Sequence, residues 1–348
     1  MIENKELLIL LLAGISAILV SFFTTPLFIK IAFARGILDQ PTTLKNHRVP
    51  TPYLGGVAVY SSFLIILALF FPTYWNLSLF LIGASLLLLV GLVDDLVPLS
   101  VFYKFWGQII AALCFIKGGF SLKQEFLGLF TLYPFMPLLL IFISFFWILT
   151  VINAFNLVDI MDGLATTCAL GVLAGFLVFS FYYSVYSVSL LVTICMGALV
   201  GFLYFNKTPA KIYLGDAGSL FIGGIIATIP FMIPWGIHTH FGFLTPVIVM
   251  GVPLMEVLSL IVIRTAKGIP FYVGSPNHFA HYLLTKKWSK TKILIFISLI
   301  NSFLIAIAFL FNTGYISLFY ACICLSALLV AWCATLYVKN TQFFTQKK

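Results

Sequence analysis

The chain has 348 residues, 62% of them hydrophobic and only 8% charged, with a formal net charge of +9. Its mean hydropathy is +1.15. So little charge cannot cover a water-exposed surface, which excludes a soluble enzyme or binding domain and predicts an all-α, polytopic membrane protein. No basic and aromatic cluster stands in a soluble segment, so no nucleic-acid partner is expected.

A bilayer-crossing helix needs roughly 17–25 apolar residues. Eleven such spans are predicted, at about 7–29, 52–71, 77–97, 103–118, 134–152, 163–183, 186–204, 217–235, 243–263, 291–311 and 315–337. Glu3 and Glu6 flank Lys5, and no small-residue cleavage site follows, so the first stretch is read as a span rather than a signal peptide. No internal repeat, linker or soluble insertion interrupts the chain, and 1–348 is read as one transmembrane domain. The six cysteines all lie in apolar spans without Cys-x-x-Cys spacing, which points to small core side chains rather than a zinc site or disulfide framework.

Basic residues orient the spans. Loops on one side hold Lys30, Arg35, Lys45, Arg48, Lys104, Lys207, Lys211, Arg264, Lys267, Lys286, Lys287, Lys290 and Lys292, and the tail adds Lys339, Lys347 and Lys348. Lys5, Lys117 and Lys123 fall opposite. The amino terminus is therefore expected outside and the carboxyl terminus in the cytoplasm.

In chain order, the first cytoplasmic loop is GILDQPTTLKNHRVPTPYLGG, residues 36–56. Its prolines and glycine pair bar a regular helix and predict a loop folded back on itself. Asp39, Lys45, His47 and Arg48 give it a phosphate-facing character. The third span ends on Asp94 and Asp95, adjacent carboxylates that repel unless a cation or proton intervenes. Lys104, on the same face, is placed to balance a carboxylate or to meet a phosphate.

The stretch NAFNLVDIMDGLA, residues 153–165, concentrates Asn153, Asn156, Asp159 and Asp162 between two apolar spans. If it opens the following helix, the two aspartates lie at i and i+3 on one face. The seventh span ends in FNKTPAKIYLGDAGS, residues 205–219, where small residues allow close approach and Ser219 is available as a cap. Asp216 at that turn suits phosphate and metal together. Glu256 follows the Gly-Val-Pro break at 251–253, and His278 and His281 share a helical face in GSPNHFAHYLL, residues 274–284. Of the ten acidic residues, all but Glu3, Glu6 and Glu125 map to the cytoplasmic half. One polar site at the inner membrane surface accounts for that distribution.

Taken together, in this order, the HRVPTPYLGG loop, the Asp94-Asp95 pair, NAFNLVDIMDGLA, FNKTPAKIYLGDAGS and the histidine loop resemble the polyprenyl-phosphate N-acetylhexosamine-1-phosphate transferase family (glycosyltransferase family 4). The resemblance runs from about Gly36 to Leu284. It implies transfer of a sugar 1-phosphate from a UDP-sugar to a polyprenyl phosphate such as undecaprenyl phosphate, with release of UMP, at the cytoplasmic face of a bacterial inner membrane. It implies a requirement for magnesium, with manganese as a substitute, and leaves a homodimer open.

By position, the resemblance gives Asp216 the metal and Asp94 the role of general base, with Asp95 placing metal or substrate. Asp159 and Asp162 join the catalytic set, and with Asn156 and Asn206 they would hold uridine and sugar. Asn153 is grouped with the substrate-binding residues, and Lys45, Arg48, Lys104, His278 and His281 would contact phosphates. Two departures are visible. Glu256 stands where the family pattern has aspartate, and Ser275 to His281 lack the aspartate, the arginine and one histidine of the usual histidine loop. Without a triple-histidine run, the chain looks nearer to the UDP-GlcNAc-using group than to the muramoyl-pentapeptide group, which stays the alternative. A secondary transporter would put its charges near the midplane of two repeated halves. A CDP-alcohol phosphotransferase would follow Asp159, Asp162 and Gly163 with Ala-Arg and a later Gly-x-x-x-Asp-x-x-x-Asp, which are missing here.

The topology has a direct check. Cysteine reporters at Gln124 and at Lys267 should label from outside and from inside respectively, and labelling of both from one side would overturn the orientation.

Overall fold

The computed structural model describes residues 3–39, 50–71, 77–123, 135–235, 241–268, 270 and 277–345, with side chains as far as 334. Lys45, His47, Arg48, Ser275 and Pro276 lie outside the described residues. Helices occupy each of the predicted apolar stretches. In order they are α1 (Asn4–Arg35), α2 (Gly55–Phe70), α3 (Ser78–Leu96), α4 (Val101–Lys117), α5 (Met136–Val158), α6 (Leu164–Tyr182), α7 (Tyr186–Asn206) and α8 (Gly215–Thr228). They continue with α9 (Thr245–Val249), α10 (Gly251–Ala266), the short α11 (Phe279–Thr285), α12 (Lys290–Asn312) and α13 (Leu318–Thr345). Seven spans among the described residues are long and apolar enough to cross a membrane, or eight if one bent pair counts as a span. The all-α membrane fold is as expected, but the expected eleven crossings are not confirmed, since α2, α4 and the described part of α13 are shorter or less apolar than those seven.

The first loop does fold back. Leu38–Asp39 (β1) pairs antiparallel with Thr51–Pro52 (β2), Leu38 opposite Pro52 and Asp39 opposite Thr51. The Pro52 carbonyl then accepts the Tyr213 amide at 2.8 Å, while Gly55 and Gly56 donate to the carbonyls of Tyr213 and Leu214 at 3.1 and 2.9 Å. This backbone lacing fixes the start of α2 to the start of α8.

Helix α8 is the central post. Every residue in it except Asp216 is buried, as expected of a helix that is apolar all round. Helices α2, α3 and α5 pack against it. The approach is close because glycines face backbone: a Cβ at Gly56 would meet the Gly218 nitrogen at 2.2 Å, and one at Gly91 would meet the Asp216 carbonyl at 2.3 Å. On the other side α1 packs on α7 through Gly197-x-x-x-Gly201, where a Cβ on either glycine would strike the α1 backbone. The Ser21 hydroxyl donates to the Ala198 carbonyl there, at 2.6 Å.

Two local expectations are corrected, and one, the break in the ninth span, is met. Asn153 to Val158 close α5 instead of opening α6, and α6 starts only at Leu164 after Gly163 turns the chain at φ +73°. Asp159 and Asp162 therefore sit on a turn, not on one helical face. The ninth span is two helices bent by 73° at Met250, beside the Gly-Val-Pro sequence; a proline within the first turn of α10 cannot donate back to α9. Ser219 lies inside α8, four residues beyond its start, and so does not cap it.

The Gly91 contact can be tested. Gly91→Ala pushes a methyl into peptide backbone and should cost about 1–3 kcal/mol, as overpacking does, lowering the melting temperature of the detergent-purified protein. An unchanged melting temperature would mean that α3 and α8 are not held this close.

Candidate active site

The motifs converge where α3 and α5 end and α4, α6 and α8 begin. Asp95, the last carboxylate of α3, reaches the first turn of α8: its Oδ1 accepts the Asp216 amide at 2.8 Å and its Oδ2 the Ala217 amide at 3.0 Å. These amides have no partner within their own helix, and the helix start favours a negative charge. Gly215 makes the contact possible, since it has φ +72° and any Cβ would lie 2.5 Å from Asp95 Oδ2.

Asp94 turns the other way. Its Oδ1 accepts the Leu99 amide at 2.6 Å and its Oδ2 pairs with the Lys104 ammonium at 2.9 Å. Lys104 also pairs with Asp216 Oδ2 and donates to Asn156 Oδ1 at 3.2 Å. Asn156 in turn donates to Asp216 Oδ1 at 2.7 Å and to Ser219 at 3.0 Å. The expected repulsion between Asp94 and Asp95 is thus resolved by divergence: one carboxylate meets a cation, the other a pair of amides.

Beside this network opens a cavity of about 350 Å³. Asp159, Asp162, Asn206, Asp216, His281, Lys290, Tyr53 and Tyr213 are among the residues that line it. Asp162 accepts the Lys290 ammonium at 2.8 Å and the Ala210 amide at 3.3 Å. Asn206 accepts from Thr166 at 2.9 Å and donates to the Ile212 carbonyl at 3.0 Å. Asp159 accepts the Gly215 amide, yet loss of water, followed by the nearby charges of Asp216 and Asp95, holds its carboxyl well above the usual carboxylate range. Burial, with a hydrogen bond to Asp39, likewise pushes the Tyr53 phenol far up, so Tyr53 stays neutral at physiological pH.

The structure thus brings Asp94, Asp95, Lys104, Asn156, Asp159, Asp162, Asn206, Asp216 and His281 to one region. It does not bring Asn153 there: that amide donates to Gln108 Oε1 at 2.7 Å and to the Leu149 carbonyl at 2.8 Å, tying α5 to α4. His278 is buried against Glu256 rather than lining the cavity. Sequence reasoning counted Lys290 only toward topology and gave Tyr53 and Tyr213 no role. The signal for Lys290 was Ser289 before it, which caps α12 by accepting the Lys292 amide at 3.2 Å and so sets Lys290 at the helix start.

Among the described residues no three His, Cys, Asp or Glu side chains close around a point that could hold a metal. Magnesium does not need such a cage, because it keeps several waters and takes one or two carboxylates together with substrate phosphates. Asp216, with Asp94 across the Lys104 ammonium, supplies hard anionic oxygens of that kind at the cavity edge, so the donor set fits.

A family model described as glycosyl transferase family 4 matches residues 77–233, from the start of α3 to just beyond α8. A probable undecaprenyl-phosphate N-acetylglucosaminyl 1-phosphate transferase of Bacillus subtilis is 28% identical, covering 94% of this chain and 90% of that protein. A decaprenyl-phosphate N-acetylglucosaminephosphotransferase of Mycobacterium tuberculosis is also 28% identical, covering 94% of this chain and 88% of its own. A phospho-N-acetylmuramoyl-pentapeptide-transferase of Bacillus cytotoxicus is 31% identical over 82% of this chain and 92% of its own.

The raised proton affinity of Asp159 predicts a pH-dependent stability. For a carboxyl raised on folding, burial costs nothing while the group is protonated in both states, below about pH 4; the penalty grows as pH rises through the folded value. Asp159→Asn should therefore raise the melting temperature at pH 7–8, measured in chelator, and leave it unchanged at the acid end. An equal shift at both ends would show that the charge of Asp159 carries no burial cost.

Proposed function

Because the chain belongs to glycosyl transferase family 4, we propose that it transfers N-acetylhexosamine 1-phosphate from a UDP-sugar to undecaprenyl or another polyprenyl phosphate, releasing UMP. The observation that carries this reading is the cavity lined by Asp95, Asp159, Asp162 and Asp216, with Lys104 paired to Asp216 behind it. The favoured donor is UDP-GlcNAc, supported by two relatives named for N-acetylglucosamine that align over 94% of this chain. We place the site at the cytoplasmic face, the amino terminus outside, in keeping with the distribution of loop lysines and arginines.

In the reaction an acceptor phosphate oxygen forms a bond to the donor's β-phosphorus, and the bond from that phosphorus to the bridging oxygen breaks as UMP leaves. The chain's contribution is positioning and charge. Asp94 would take the proton of a monoanionic acceptor phosphate, its Oδ2 being freed as Lys104 turns to the incoming phosphates. Asp95 keeps the first turn of α8, and so Asp216, in place. Asp159, Asp162 and Asn206 would face the uridine and sugar, with Lys290 neutralising Asp162. Magnesium, held by Asp216 with Asp94 in reach, would supply charge neutralisation at the donor diphosphate.

Purified protein incubated with undecaprenyl phosphate, magnesium and separate UDP-sugars should release UMP with UDP-GlcNAc and form a pyrophosphate-linked lipid. Product from UDP-MurNAc-pentapeptide alone would assign the chain to the other branch, and no UMP from any donor would overturn the transferase reading. Asp216→Asn should reduce turnover by about 10²-fold or more, the scale of one lost transition-state contact, while the melting profile persists. Near-normal activity in that variant would leave Asp216 no part in the chemistry.

A further inference from the structure

Glu256 is buried in α10, 4% exposed. Its Oε1 meets Nδ1 of His278 at 2.9 Å and accepts the Phe279 amide at 3.3 Å. One carboxylate oxygen thus holds both the residue before α11 and the first amide of α11. Two further contacts brace the same segment: Lys267 donates to Asn277 Oδ1 at 3.0 Å, and Phe279 stacks on Trp332 with ring centroids 3.6 Å apart. The His281 ring follows one turn on, 5.7 Å from the His278 ring and nearly perpendicular to it, on the cavity wall with Asp159 and Lys290.

Stability alone does not account for this arrangement. The second oxygen, Oε2, is buried without a hydrogen-bond partner among the described residues. An under-satisfied buried carboxylate is costly, and apolar replacement of such pairs is often neutral or stabilising. What the pair does supply is orientation. A carboxylate on Nδ1 requires the proton there and fixes the ring, as carboxylate partners do for working histidines.

We propose that Glu256 and His278 are positioning residues that set α11 so that His281 meets the phosphates of the nucleotide-sugar donor. This rests on the transferase reading above. Glu256 touches neither substrate; it acts through His278 and the backbone of α11.

The first arm of the test needs no turnover. Long-range nitrogen NMR of histidine-labelled, detergent-purified protein, with His278 assigned through His278→Gln, should show Nδ1 protonated. Glu256→Gln should shift that signal toward the Nε2-protonated form, and an Nε2-protonated His278 in the unaltered protein would overturn the pair. The second arm is kinetic. Glu256→Gln should raise the KM for UDP-sugar about tenfold, the scale of one charge-assisted hydrogen bond, and leave the KM for the lipid acceptor unchanged. His278→Gln should do the same from the other side of the pair. The double variant of Glu256→Gln with His281→Ala should be no worse than His281→Ala alone. Additive losses, or equal shifts for both substrates, would overturn the positioning role. Should the unaltered protein release no UMP with any donor, the transferase reading and the donor assignment fall together, while the NMR arm still judges the pair.

Discussion

The site depends on one carboxylate that does no chemistry of its own in this reading. Asp95 closes the free amides at the start of α8 from across 121 residues of sequence. Asp216 sits on the amide that Asp95 holds, so its place beside Lys104 and Asn156 follows from that contact. The glycines complete the constraint: Gly91 brings α3 onto Asp216, Gly215 admits the Asp95 oxygens, and Gly56 brings α2 onto Gly218. A carboxylate-rich cluster is held by helix ends brought within backbone contact rather than by its side chains alone.

Around that frame cations and amides offset the crowded carboxylates, including Asp94 and Asp216, which touch each other as well as Lys104. Lys104 pairs with Asp94 and Asp216, Lys290 meets Asp162, and the Gly215 amide meets Asp159. Each cation comes from the first turn of a helix whose start lies at this end of the bundle. Among the described residues Asp159 has a donor, the Gly215 amide, but no paired cation, and its displaced proton affinity reports that position.

Much of this was legible in the sequence, and the part that was not has physical reasons. Apolar run length placed the helices, because a bilayer demands both length and low charge. The acids cluster for the same reason: uncompensated charge is expelled from apolar spans, so most of them gather at helix ends and turns. Direction within the site was not legible. Nothing in Asp94-Asp95 as adjacent letters shows that one turns to Lys104 and the other to an amide pair 121 positions on. Asn153 and Asn156 look equivalent in sequence, yet three residues of helical rotation send one to Gln108 and the other to Asp216. Lys290 was hidden among loop lysines because its partner, Asp162, is 128 residues away.

The packing of α1 on α7 has a consequence for how the chain is made. Ser21 and Ala198 are 177 positions apart, so at about 5–20 residues per second the first helix waits roughly 10–35 s on the ribosome's clock for its partner. Through that interval it has α2 beside it but not α7, and it is built to persist in lipid, with 32 residues and an 18-residue window of mean hydropathy 2.6. The stretch Gly215–Met232 that begins with α8, at 1.4 and bearing Asp216, would fare badly in that position. It emerges only after α2, α3 and α5, the helices that enclose it, are already in the membrane. The order of the genes' letters is thus also an order of assembly: self-sufficient helices first, the dependent one once its neighbours can receive it.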